Sequence, residues 1–172
     1  GKTYEVFSEL SPVYPGMLFL NPDITEKYFV NLSNTPGTVA DGFYAEKKTN
    51  TYRIFVFGES STAGWPYVPN ASFPRYIKRK LQALYPDKTI EVINLGVSAI
   101  SSYVILDFAK AAVAYEPDLV LIYTGHNEYY GALGAGSTQS LGANRTLINF
   151  ALWLQDFKTV QLIQNSISTV WG

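Results

Sequence analysis

The chain contains no cysteine, which excludes a disulfide framework, thiolate chemistry and any cysteine-based metal site. It contains one histidine, His126, and one methionine, Met17. No run of 18 apolar residues occurs, and the nearest approach, over residues 103–115, is interrupted by Asp107 and Lys110, so no membrane span is expected. There is no excess of charge of one sign either. Thirteen Lys and Arg face 14 Asp and Glu, a balance that disfavours nucleic acid or an anionic membrane as partner and suits a small, neutral or weakly charged substrate. The small-residue stretch over residues 131–137 lacks a Gly-Lys-Ser/Thr ending. A phosphate cradle is therefore not expected there, and a mobile loop over a pocket is the reading that remains.

What is present is an apolar fraction of 47% in 172 residues, enough for the core of one domain. Residues 1–50 are broken by Pro15-Gly16, Asn21-Pro22-Asp23, Pro36-Gly37 and Asp41-Gly42, and read as an N-terminal arm of loops with one short hairpin. Residues 51–172 have a different texture. Near-continuous apolar runs at 52–57, 90–95 and 119–123 predict three parallel strands buried on both faces. A helix starts after Ser72, with Phe73, Ile77, Leu81 and Leu84 on one face and Arg75, Lys78, Arg79 and Lys80 toward solvent, and stops at Pro86-Asp87. A second is expected over residues 102–115, closed by Pro117, and two short amphipathic ones over 146–156 and 159–168. Strand, crossover helix and strand make a βαβ unit, which places ligands at the carboxyl ends of its strands. A three-stranded parallel sheet is small for its class. We therefore expect a domain truncated after the third strand, with an exposed sheet edge that favours dimerisation.

Each strand ends in a polar turn containing small residues. The first reads Gly58-Glu59-Ser60, the second Asn94-Leu95-Gly96, and the third Gly125-His126-Asn127-Glu128. A lone serine after a strand is by default a turn or helix-capping residue. Three such turns in order are more specific, and together they resemble the SGNH (GDSL-type) hydrolase family over roughly residues 50–131. The resemblance implies a three-layer α/β/α, flavodoxin-like fold with a parallel sheet. It also implies Ser60 as nucleophile, and the N–H groups of Ser60 and Gly96 with the Asn127 side chain as an oxyanion hole. Small residues permit close approach of backbone to a tetrahedral intermediate, and a carboxamide donates without adding charge. Glu59 and Glu128 stand where the family usually has Asp and are read as supporting carboxylates. The family's closing Asp-x-x-His block, its base and orienting acid, is absent from this sequence. His126 lies inside the third turn, where a pocket-lining or turn-forming role competes with that of base.

The resemblance thus implies an esterase or O-acyl hydrolase, incomplete in this chain, acting on carbohydrate or cell-envelope esters. The alternative is a non-catalytic binding or scaffolding module on the same fold. No cofactor or metal is called for. Longer matches in wording, Gly64-Trp65-Pro66-Tyr67 and Tyr129-Tyr130-Gly131 with their preceding turns, resemble extracytoplasmic bacterial relatives that sometimes carry tetratricopeptide repeats. Trp65, Tyr67, Tyr129 and Tyr130 flank the expected cleft, and either stack on a sugar or acyl group or pack into the core.

Overall fold

The computed structural model describes residues 4–29, 35–128 and 145–171. Its centre is a parallel sheet of β4 (Thr51–Gly58), β5 (Thr89–Gly96) and β6 (Leu119–Tyr123) in the order β5-β4-β6. The register aligns the strands' carboxyl ends, with Gly58 beside both Gly96 and Tyr123. The connections are helical. The four-residue α1 (Ser60–Ala63) and α2 (Phe73–Leu84) join β4 to β5, and α3 (Ser102–Ala112), with a short 3-10 turn over Val113–Tyr115, joins β5 to β6. α4 (Arg145–Leu154) and α5 (Lys158–Trp171) follow.

Alternation along the central strand decides which layer each residue joins. Ile54 and Val56 face Phe73, Ile77 and Leu81 of α2, with Ile90 and Val92 of β5 completing that side. Phe55 and Phe57 face the opposite way, into a larger core with Val104, Ile105 and Phe108 of α3 and Ile148 and Leu152 of α4. This is a mixed α/β fold with helices on both faces of a parallel sheet, consistent with a flavodoxin-like arrangement.

The arm is more ordered than its turn-rich composition predicts. In place of one hairpin, β1 (Phe7–Ser8), β2 (Met17–Leu20) and β3 (Phe43–Tyr44) form a small antiparallel sheet in the order β1-β2-β3. Phe7, Leu20, Ile24, Tyr28 and Phe43 enter the larger core, where Phe43 meets Phe55 edge to face at a centroid distance of 5.0 Å. Non-local pairing of so few residues per strand leaves almost no periodicity to detect.

One buried arginine fastens the arm to the sheet. Arg53 on β4 is fully buried and donates to Glu91 Oε2 at 2.6 Å and to the carbonyls of Tyr44 and Tyr115, each at 2.8 Å. Its own N–H donates to Asp118 Oδ2 at 2.6 Å, which also pairs with Lys47 Nζ at 2.7 Å. Burial pushes the Asp118 carboxyl up, but the Lys47 hydrogen bond, the Arg53 N–H and both positive charges outweigh it and hold the carboxyl below its ordinary value.

The third strand departs from expectation. β4 and β5 are buried on both faces, whereas Val120 and Ile122 of β6 are 41% and 57% exposed. β6 is an edge strand paired only to β4, and only Leu121 reaches the α2 layer among the described residues. Among the described residues no helix is long and apolar enough to cross a membrane.

Candidate active site

The three turns meet at the carboxyl edge of the sheet. Ser60 opens α1 directly after β4, with Glu59 as the capping position in extended backbone. α1 lies so close to the strand ends that a Cβ at Gly58 would collide with the Thr62 hydroxyl and the Tyr123 carbonyl, and one at Gly96 with the backbone of Thr62 and Ala63. Only glycine admits that contact, which sets the serine's helix against the second turn.

Asn94, fully buried, holds this junction. Its Nδ2 donates to the Thr62 carbonyl at 2.8 Å, and its Oδ1 accepts from the Gly96 N–H at 2.9 Å. The Gly96 N–H thus has a partner within the protein in this structure. Three residues on, Ala99 adopts φ 60°, a left-handed conformation that costs a non-glycine residue about 1–2 kcal/mol. Its N–H makes no hydrogen bond among the described residues.

Glu59 joins the first turn to the third. Only 1% exposed, it accepts at Oε1 from the Thr124 hydroxyl at 2.6 Å and from the Gly125 N–H at 2.8 Å. Its Oε2 has no hydrogen-bond partner and lies 3.5 Å from Nδ1 of His126, whose ring is well exposed and packs edge-on to Tyr123. Glutamate's extra methylene gives the reach to span two turns. Two residues past that clamp, Asn127 Nδ2 is buried and has no hydrogen-bond partner among the described residues. Such a group costs about 1–3 kcal/mol and requires an explanation. Glu128 turns the other way: its carboxylate accepts the Ser102 N–H at 2.6 Å and the Ser102 hydroxyl at 2.9 Å, closing the start of α3.

Ser60, Glu59, His126 and Asn127 thus belong to one tied pair of turns, with Gly96 packed against α1 behind them. Glu128 serves the neighbouring helix. Asn94, which opens the second motif, holds the junction through bonds that the sequence does not reveal. Tyr129, Tyr130 and the 131–137 loop lie outside the described residues. Trp65 and Tyr67 are 69% and 73% exposed, so they are not core residues.

A parallel α/β sheet with a serine-bearing helix at its carboxyl edge and paired turns beside it defines an α/β domain whose candidate site lies at the strands' carboxyl ends. The family comparison makes this specific: residues 56–165 match the model of the GDSL-like Lipase/Acylhydrolase family. The chain belongs to that family, whose members are hydrolases of the SGNH type. No curated protein and no solved structure gives a match.

Proposed function

We propose that the chain is the Ser60-bearing part of a serine esterase acting on O-acyl groups, with carbohydrate or cell-envelope esters as the substrate class. The observation that carries this is the Glu59 clamp, which ties the Ser60 turn to the third turn beside the buried, unpartnered Nδ2 of Asn127. In this reading Ser60 Oγ attacks the ester carbonyl and passes its proton to a base. The Ser60 N–H and Asn127 Nδ2 receive the oxyanion. Collapse expels the alcohol, which takes the proton, and water then hydrolyses the acyl-serine.

The base is assigned to an Asp-x-x-His segment that these residues do not contain. Without positioned proton transfer the rate falls about 10²- to 10⁴-fold, so the chain by itself is expected to be nearly inactive. The exposed apolar face of β6 supports incompleteness, and that edge is also where self-association is expected. An extracytoplasmic setting and repeats elsewhere in the parent protein extend the same proposal. A second reading is favoured by the 3.5 Å approach of His126 to Glu59, which would make His126 the base and Glu59 its orienting acid.

Imidazole in solution can replace a missing base. We expect hydrolysis of p-nitrophenyl acetate by the chain to gain an imidazole-dependent component that Ser60→Ala lacks. Turnover without imidazole, lost in His126→Ala, would favour the second reading. Identical imidazole curves for the chain and Ser60→Ala would leave only a non-catalytic binding module.

A further inference from the structure

The outer face of α4 has no part in the chemistry above. Ile148 and Leu152, four residues apart, enter the larger core, which turns Phe150 and Trp153 away from it. Phe157 follows in the turn before α5. The three rings touch: Phe150 stacks on Trp153 with centroids 5.6 Å apart, and Trp153 meets Phe157 edge-on at 4.6 Å. They are nevertheless 54%, 53% and 42% exposed. A contiguous open row of aromatic rings marks a contact surface. The turn that carries it is held firmly: the Asp156 N–H donates to the Trp153 carbonyl and the Phe157 N–H to the Leu154 carbonyl, both at 3.1 Å, and Gln161 Nε2 donates to the Gln155 carbonyl at 3.0 Å. Over residues 146–172 the charged side chains are Asp156 and Lys158 alone. Asp156 pairs with Lys27 Nζ of the arm at 2.8 Å, and Lys158, exposed, follows Phe157 directly.

We propose that Phe150, Trp153 and Phe157 seat α4 and its following turn on a lipid surface whose headgroups carry no net charge, with the rings at the boundary of headgroups and acyl chains and Lys158 at the level of the phosphates. The inference is independent of the esterase reading. Broad rings with Lys beside them suit that boundary, because the rings leave water while the ammonium stays in it. α4 has ten residues, about 15 Å against a hydrocarbon thickness of about 30 Å, so it lies on the surface and does not span it. Charge selects the headgroup: 13 cations against 14 acids give the chain no attraction to an anionic surface, and the one carboxylate near the rings is neutralised by Lys27. Area argues against a second copy of the chain. Three half-exposed rings offer on the order of 300 Å², from about 150–250 Å² per aromatic side chain, whereas a stable dimer needs about 800 Å² per partner. The exposed apolar residues of α5, Leu162, Ile163 and Ile167, are interleaved with exposed Gln164 and Ser166 and are not gathered into a continuation of the row. A turn already fixed by its own hydrogen bonds loses little freedom on docking.

The test is flotation of the 172-residue chain with phosphatidylcholine vesicles. Partition into the vesicle fraction is expected, reduced roughly tenfold or more by Trp153→Ala, less by Phe150→Ala or Phe157→Ala, and changed little by added salt. Urea unfolding checks that each variant folds, and Trp153→Phe, which keeps a ring, should recover part of the partition. In a chain carrying Trp65→Phe and Trp171→Phe, the fluorescence of Trp153 should shift to the blue with vesicles and be quenched by brominated acyl chains. Absence of partition, or partition that Trp153→Ala leaves unchanged, would overturn the proposal. Binding confined to anionic vesicles and lost in salt would overturn it by assigning the contact to charge. A dimer seen by light scattering and abolished by Trp153→Ala would overturn it by assigning the rings to a second copy. Ser60→Ala should partition like the unmodified chain, so failure of the esterase reading leaves this result standing.

Discussion

The two ends of β4 hold polar constellations of similar density and opposite character. At the amino end, Arg53 is fully buried and its guanidinium is bonded to Glu91, Tyr44 and Tyr115, while its N–H shares Asp118 with Lys47. Among the described residues Thr51 Oγ1 is the one buried side-chain group there without a hydrogen bond. At the carboxyl end, Glu59 Oε2, Thr62 Oγ1 and Asn127 Nδ2 are all buried without a hydrogen bond among the described residues. Burial of polar groups is tolerated at one end because they are paired, and at the other because, in our reading, the oxyanion pairs Asn127 Nδ2, while Glu59 Oε2 faces His126 Nδ1 at 3.5 Å. Satisfaction, not burial or charge, separates the end that holds the fold from the end to which we assign the chemistry.

Mutations can break this contrast. The largest effect is expected for Arg53→Ala, which strands Glu91 and two carbonyls. Loss of about 3–5 kcal/mol in urea unfolding is the expected outcome, a large share of a small domain's stability. Asn127→Ala should do the reverse, with imidazole-supported hydrolysis falling about 10²-fold or more. Its unfolding free energy should not fall, and should rise by up to about 1–3 kcal/mol, because no hydrogen bond is lost and an unpaired buried group is removed.

Acid sharpens the amino-end half of the comparison. The Asp118 carboxyl is held below its ordinary value, so its contribution is fully present above the unfolded-state pKa of about 4 and is lost as pH falls through the folded value. Asp118→Asn should therefore lower the urea midpoint at pH 7 and leave it close to that of the unmodified chain at pH 2. A gap of equal size at both pH values would contradict the assignment. The smallest effect is expected for Ala99→Gly, which relieves a left-handed alanine and should raise stability by up to about 1 kcal/mol.

Legibility followed the range of the interactions. The parallel strands and the helices between them were readable because each repeats a burial pattern over many residues, and the family was readable because its three turns each close such a strand. The strands of the arm are two to four residues long, too short to carry a period, and were read as loops and one hairpin. The exposure of β6 was hidden because an apolar run looks the same whether or not a neighbour covers it. Within the site, Glu59 was identified but not its bridge to Thr124 and Gly125, which depends on the register of β4 against β6. Gly96 was read as a donor because its motif points there. The bond from its N–H to Asn94, two residues back, becomes visible only once the side chain is placed.

The account is tested most directly by measuring imidazole-supported ester hydrolysis and the urea midpoint side by side for Asn127→Ala and the unmodified chain. It predicts hydrolysis reduced about 100-fold at a midpoint that is unchanged or raised. A lowered midpoint with hydrolysis unchanged would mean that Asn127 holds the turn and that the unpaired groups at the carboxyl edge do not serve catalysis.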